Sequence, residues 1–166
     1  MDIISHGLWG GLAFGRKKKI NYFISFLFGI MPDMFSFGIL SIAAVLGLVK
    51  NPNWGQGIPS PESIPTFVHT LYNLTHSLIT FMLLFGIVWV IRRKPYLPML
   101  AWGLHILVDI PTHSFDFFPT PFLEPISSFM INGISWGHPI IFYPNVILLI
   151  VGYVVWWASR NKKTKR

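Results

Sequence analysis

Histidine and aspartate side chains recur in apolar stretches of the sequence, where polar residues are otherwise scarce. His105 and Asp109 are four residues apart, so a helix places their imidazole and carboxylate on one face, one turn apart. That spacing suits two ligands of a single cation. Residues of the same two types lie in or beside other apolar stretches: His6, Asp33, His76 and His113. An ionisable side chain at the centre of a membrane helix costs about 2.5–3.5 kcal/mol, so each needs a partner or a function.

The chemistry of this set favours a transition metal. The chain has no cysteine, so the ligands are imidazoles and carboxylates without a thiolate. Such a set is typical of Zn²⁺, with Mn²⁺ and Fe²⁺ as alternatives, rather than of Ca²⁺ or Mg²⁺. A carboxylate can also bridge two ions. Three residues in predicted loops can complete a second metal site: Asp116, Glu124 and His138. For each residue singly, the alternative is a structural role, hydrogen-bonded in the core or solvated in a loop.

The elements that must position these residues are membrane helices. Hydrophobic residues make up 52% of the 166 residues and charged residues only 11%, against roughly 25% charged in soluble domains. A crossing takes roughly 20 residues, and four apolar stretches are long enough: 20–49, 71–91, 96–113 and 140–158. Proline-rich segments between them favour turns rather than strands. We predict one all-α domain over 1–166, a polytopic membrane protein with four transmembrane helices.

Residues 1–15 form a further apolar segment, which is short for a crossing. We interpret it as an N-terminal helix packed against the four spans. The alternative is an amphipathic helix that lies on the membrane surface. Its positive charges follow the apolar residues instead of preceding them, so we do not expect a cleavable signal peptide.

The distribution of positive charge predicts the orientation of the helices. The net charge is +7, and twelve of the thirteen Lys and Arg residues fall into clusters within 16–19, 92–94 and the tail 160–166. Each cluster adjoins an apolar stretch, which is the positive-inside pattern and not a nucleic-acid surface. We therefore expect the lipid bilayer as the partner, an inner (cytoplasmic) membrane location, and the basic clusters and C-terminus on the cytoplasmic side.

This topology brings the polar residues to one depth. Measured along the helices from the cytoplasmic side, Asp33, His76 and Asp109 lie at ~20 Å, and His105 and His6 at ~14–15 Å. Side chains that fill unrelated structural roles would scatter in depth. The sequence thus predicts one cluster in the outer half of the bilayer.

Three short motifs carry a resemblance to a known family. They are Gly29-Ile30-Met31-Pro32-Asp33, Thr75-His76-Ser77, and His105 to Asp109 followed by Pro111-Thr112. Their order, with His6 near the start, resembles the membrane-bound metal-dependent hydrolases, also called LexA-binding, inner-membrane-associated hydrolases. The order of ligands is also similar to that of zinc-dependent phospholipase C, which implies phosphoester hydrolysis at a multinuclear zinc site.

The resemblance implies a membrane-embedded hydrolase that acts on a phosphoester or lipid-linked substrate. A metal ion lowers the pKa of bound water to about 7, so this water would be the nucleophile. One alternative is a divalent metal transporter, or a metal-binding membrane subunit without hydrolase activity. Transporters frequently have internal repeats and midplane sites, whereas this sequence has no clear repeat and its predicted cluster is off-centre. A structural subunit with a polar core is a third interpretation.

Overall fold

The computed structural model describes residues 1–50, 52 and 59–164, and its regular structure is entirely helical. These residues form seven α-helices: α1 Ile3–Phe14, α2 Lys19–Asp33, α3 Ile39–Val45, α4 Thr66–Thr75, α5 Leu78–Arg92, α6 Leu100–Thr112 and α7 Pro139–Thr164. No β-strand occurs within the described ranges, so the predicted all-α class is confirmed. Most of the first predicted outer loop (51 and 53–58) and the end of the basic tail (165–166) lie outside the described residues.

Fewer helices are long enough to cross a bilayer than the four predicted. Within the part of the chain that the structure describes, two qualify by length and apolar composition: Lys19–Val45, with 27 residues, and Pro139–Arg160, with 22 residues. A third crossing exists only if α4 and α5 act as one span, although the two helices are bent by 57° relative to each other. The predicted span 96–113 is the short helical segment Leu97–Thr112. The structure therefore does not support four transmembrane helices.

A helix break next to polar residues explains the loss of one predicted span. The predicted span 71–91 begins inside α4, which ends at Thr75, and α5 restarts at Leu78. Ser77 caps the new helix, because its hydroxyl accepts a hydrogen bond from the Thr80 amide at 3.1 Å. Mean hydropathy over a window records apolar composition, but it does not register a capped break of two residues.

A second irregularity lies in the middle of the first long helix. A π-helical turn, Met34–Gly38, joins α2 to α3 directly after Asp33. The buried Ser36 hydroxyl donates to the carbonyls of Pro32 and Asp33, at 3.2 Å in each case. This hydroxyl gives two carbonyls beside the irregular turn a donor within the protein, which suits irregular main chain at membrane depth.

The N-terminal helix α1 packs inside the bundle, against α2, α6 and α7. Small residues make its contact with α2 close. A Cβ added at Gly29 would lie 2.5 Å from the His6 carbonyl oxygen, and one at Gly10 would lie 2.7 Å from the Ser25 carbonyl oxygen. Small residues at helix interfaces permit this approach in membrane proteins. The structure thus agrees with the interpretation of residues 1–15 as a packed helix.

The close approach of α1 and α2 predicts a steric effect of Gly29→Ala. The new Cβ requires a backbone shift, so we expect the free energy of unfolding to fall by about 1–3 kcal/mol, as for other overpacked sites. Gly86→Ala is the matched control, because nothing lies within 4 Å of its added Cβ and alanine favours a helix by about 0.8–1.0 kcal/mol. Thermal unfolding of both variants in detergent micelles checks this. Equal midpoints for the two variants would contradict the close packing.

Candidate metal centre

Six buried histidine and aspartate side chains meet at one end of the bundle. They come from α1, the end of α2, the break between α4 and α5, α6, and the residue after α6. Their exposed fractions are 0% for Asp109 and His76, 1% for His105, 2% for His6, 5% for Asp33 and 7% for His113. These are the six residues that the sequence assigns to the metal. The structure brings all of them together, whereas their role as ligands stays a prediction.

Hydrogen bonds from other helices hold the break between α4 and α5 in place. The Thr75 hydroxyl lies 2.8 Å from the Leu71 carbonyl oxygen within α4 and 3.2 Å from the Pro32 carbonyl oxygen, so it also contacts the end of α2. The Trp102 indole of α6 donates to the Thr75 carbonyl at 2.7 Å. The break therefore leaves His76 at a fixed position between α2 and α6, with its main chain satisfied.

Three of the four histidines are oriented in the same way, because each Nδ1–H donates to a main-chain carbonyl oxygen. The pairs are His105 with Gly29 at 2.7 Å, His76 with Tyr72 at 3.0 Å, and His113 with Phe118 at 2.8 Å. A carbonyl only accepts, so the proton of each neutral ring is on Nδ1 and the lone pair is on Nε2. Such second-shell bonds fix the tautomer of metal-binding histidines in proteins.

The Nε2 atoms of His76 and His105 lie only 3.0 Å apart. With both lone pairs on these atoms, the contact brings two acceptors together. Two acceptors at this distance repel each other unless a positive charge, a proton or a metal ion, is shared between them. Asp33 adds a carboxylate, because its Oδ1 lies 3.4 Å from His76 Nε2 and 3.9 Å from His105 Nε2. Ligand atoms at 2.0–2.1 Å from a tetrahedral Zn²⁺ are about 3.3 Å apart, close to these separations.

The two carboxylate oxygens of Asp109 face different histidines. Oδ2 lies 3.1 Å from His105 Nε2 and 3.7 Å from His76 Nε2. Oδ1 lies 2.9 Å from His6 Nε2 and 3.4 Å from His113 Nε2, and the Met1 amino group also contacts it. Asp109 is thus placed to hold one ion, or to bridge two.

Among the described residues, two sets could each hold a metal ion, since the ligand atoms inside each set lie within 4.8 Å of one another. One set is Asp33, His76 and His105, and the other is His6, His105 and Asp109. His105 belongs to both sets, but its Nδ1 is engaged by a carbonyl, so its Nε2 can bind a single ion. If two ions bind, the second must therefore rely on the other residues around Asp109.

Two of the buried ligand atoms have no aligned hydrogen-bond partner: His6 Nε2 and Asp109 Oδ2. His6 Nε2 lies 2.9 Å from Asp109 Oδ1, and Asp109 Oδ2 lies 3.1 Å from His105 Nε2, but neither contact follows a hydrogen-bond direction. A buried polar atom without a bond costs about 1–3 kcal/mol, so two in one cluster require an explanation. Ligands of one metal ion point at the ion and not at each other, which accounts for both atoms. The residues present therefore fit a bound divalent metal.

The three residues predicted for a second metal lie apart from this cluster. Asp116 is exposed and accepts a hydrogen bond from the Ser114 hydroxyl at 3.0 Å. His138 is exposed, and its Nδ1 accepts from the Ile140 amide at 3.3 Å near the start of α7. Glu124 is half-buried, and its main-chain carbonyl accepts from the Ser77 hydroxyl. Among the described residues, none of the three belongs to a set of ligand atoms that could hold a metal.

Tyr72 is a residue of the site that the sequence reasoning missed. It is 1% exposed, its ring stacks on His76 with 3.8 Å between centroids, and its hydroxyl donates to the Phe118 carbonyl at 2.8 Å. It thereby fixes the carbonyl that orients His113. Its position one helical turn before His76 was a usable signal.

Comparisons with protein-family models, curated proteins and solved structures found no match to the chain.

The cluster predicts that the purified protein carries a tightly bound divalent metal. Because a second-shell change already costs about 10–100-fold in metal affinity, loss of a direct ligand in His105→Ala or Asp109→Asn should cost at least as much. Elemental analysis after gel filtration in detergent measures the retained metal. His138→Ala is the control and should retain the wild-type amount.

Thermal unfolding with and without a chelator separates metal loss from misfolding. A metal that binds only the folded state raises the unfolding midpoint. We expect the chelator to lower the midpoint of the wild type and of His138→Ala, but not that of Asp109→Asn. Metal-free wild-type protein with no chelator effect would exclude the metal centre.

Proposed function

We propose that the protein is a membrane-embedded metal-dependent hydrolase, which cleaves a phosphoester bond of a lipid-linked substrate with a metal-activated water. The observation that carries the proposal is the approach of His76 Nε2 and His105 Nε2 to 3.0 Å, with both Nδ1 atoms engaged by carbonyls. The carboxylates of Asp33 and Asp109 lie within 3.9 Å of these two nitrogens. A divalent ion held by these residues would supply Lewis acidity and activate water.

The donor set supports Zn²⁺ as the metal, with Mn²⁺ or Fe²⁺ as alternatives, because imidazole nitrogen and carboxylate oxygen are the atoms available. Asp33, His76, His105 and Asp109 would hold the ion. His6 and His113 both face Oδ1 of Asp109, at 2.9 and 3.4 Å. Each can serve as a further ligand. Alternatively, each can accept a proton from a water that lies beside the carboxylate.

An apolar cavity next to the cluster supports a lipid-linked substrate. The cavity measures about 390 Å³ and lies between α1, α6 and α7. Its lining includes Leu104 and Val108 of α6, and Met1, whose amino group contacts Asp109. Such a cavity suits a hydrocarbon chain and would leave the polar end of the lipid near the ligands.

The order of the residues supports the same proposal, since it resembles that of the membrane-bound metal-dependent hydrolases. The charge pattern supports an orientation in an inner membrane. Arg16 to Lys19 lie at the turn between α1 and α2, whereas His6 and Asp33 lie near the opposite ends of these two helices. With the basic turn at the cytoplasmic face, the cluster would lie in the outer half of the bilayer.

The proposal predicts hydrolysis of phosphodiesters by the metal-loaded protein. An assay in detergent or proteoliposomes, with a chromogenic phosphodiester and with phospholipids, should show turnover for the wild type and for His138→Ala. His105→Ala and Asp109→Asn should fall to the background rate, because they remove direct ligands. Added Zn²⁺ should restore activity to chelated wild type but not to the two ligand variants.

One outcome would reject the hydrolase and keep the metal centre. If the protein retains metal, hydrolyses none of these substrates and carries divalent ions into proteoliposomes, it is a transporter. Flux that Asp109→Asn abolishes would assign that transport to the same cluster.

A further inference from the structure

A second polar feature lies at the turn between α1 and α2, away from the candidate metal centre. It is a cavity of about 360 Å³, lined by Gly15, Arg16, Lys17, Lys18, Lys19, Tyr22, Trp156 and Arg160. Residues of the turn form one side, and the C-terminal part of α7 forms the other. We call this the basic cavity.

The lining of the basic cavity is strongly cationic. Five of its eight residues are Lys or Arg, and none is acidic. Residues 16–19 are exposed, and no ion pair joins them to another residue of the described ranges. Cationic side chains that converge on one concave surface raise the local concentration of anions.

The main chain adds donors to the same place. The 15-residue helix α2 begins at Lys19, and Lys18 at its N-cap makes no side-chain capping hydrogen bond. The first amides of a helix lack partners within the helix, and the helix dipole favours an anion there. The uncapped start of α2 therefore coincides with the basic cavity.

Aromatic side chains form the remaining wall. The rings of Tyr22 and Trp156 stack with 5.6 Å between centroids, and the Arg160 guanidinium lies 5.7 Å from the Trp156 ring. The Tyr22 hydroxyl lies 2.7 Å from the Tyr153 hydroxyl, which ties this wall to α7. Tyr and Trp are enriched at the depth of lipid headgroups. Ile20 and Phe23, which follow on α2, are 58% and 57% exposed and suit contact with acyl chains.

We propose that the basic cavity binds a phosphate-bearing anion, whose source in the membrane is the headgroup of an acidic phospholipid. A phosphate matches the combination of converging cations and open helix amides. A lipid delivers that phosphate at the depth of the aromatic wall, with its acyl chains against Ile20 and Phe23. This site is independent of the hydrolase proposal, since it shares no residue with the metal cluster.

Titration of the full-length protein with phosphatidylglycerol, followed by native mass spectrometry, tests the site. Removal of a basic residue near a membrane surface weakens binding of acidic lipid by about fivefold. If the three contributions add, the triple variant Lys17→Gln, Lys18→Gln, Lys19→Gln should therefore lose affinity by about a hundredfold. Phosphatidylcholine should bind weakly to both proteins. Retained metal and an unchanged unfolding midpoint show that the variant is folded.

The cluster at the end of α5 provides a matched control. Arg92→Gln, Arg93→Gln, Lys94→Gln removes the same charge, but Arg92 lies over the Tyr96 ring at 4.5 Å and not at the basic cavity. This variant should keep its affinity for phosphatidylglycerol. Equal losses of affinity in the two triple variants would show diffuse attraction to positive charge and overturn the proposal. An unchanged affinity in the variant of residues 17–19 would overturn it as well.

Inorganic phosphate distinguishes the two sources of the anion. If millimolar phosphate displaces phosphatidylglycerol from the wild type, the phosphate group alone is sufficient and a soluble phosphate is an alternative occupant. If phosphate does not compete, the site requires the lipid. Both outcomes support a phosphate site, provided that binding depends on residues 17–19 and not on 92–94.

Discussion

The approach of two buried imidazole nitrogens, His76 Nε2 and His105 Nε2, is the interaction on which the rest of the structure depends. Main-chain carbonyls hold both rings by Nδ1, so neither can turn away without losing a buried hydrogen bond. Gly29 shows how the fold serves this contact. Its carbonyl orients His105, and the absence of a Cβ lets α1 approach closely enough to add His6. Gly29 therefore serves both the packing of α1 on α2 and the orientation of a cluster histidine.

The interrupted helices follow from the same requirement. In a continuous helix through residues 66–92, the helical period alone would decide the direction in which His76 points. The break lets its ring turn towards α2 and α6. Irregular main chain within a membrane must be satisfied by protein or water. Trp102 and Ser36 supply such bonds, Trp102 to the Thr75 carbonyl beside His76 and Ser36 to the Asp33 carbonyl. The shortage of full-length spans and the polar cluster are thus two aspects of one arrangement.

The sequence was sufficient to predict the members of the cluster, because they obey simple rules. His105 and Asp109 follow the helical period, Asp33 follows a proline inside an apolar run, and the depth argument adds His76 and His6. The predicted number of transmembrane helices was wrong, in part because apolar composition does not reveal a capped helix break. The carbonyls that orient the histidines carried no signal, since every residue has one. Asp116 and His138 were chosen by residue type, and the structure gives them hydrogen bonds in local turns outside the cluster.

The choice between a proton and a metal ion as the shared positive charge rests on how much of the cluster each one explains. A proton between His76 and His105 removes the repulsion of their lone pairs. It leaves Asp109 Oδ2 and His6 Nε2 without aligned partners, although both are buried and both lie within 3.1 Å of another polar atom. A protonated imidazole would turn an N–H along the line to the carboxylate, because charge-assisted hydrogen bonds are strong and directional. A divalent cation accepts lone pairs from several directions, so an ion held by His105 and Asp109 removes the repulsion of the nitrogen pair and accounts for Asp109 Oδ2. His6 Nε2 belongs with the same two residues to the second set of ligand atoms, from which His76 is absent. The charge of the ion, together with the Met1 amino group at Asp109, offsets two carboxylates in an apolar surrounding.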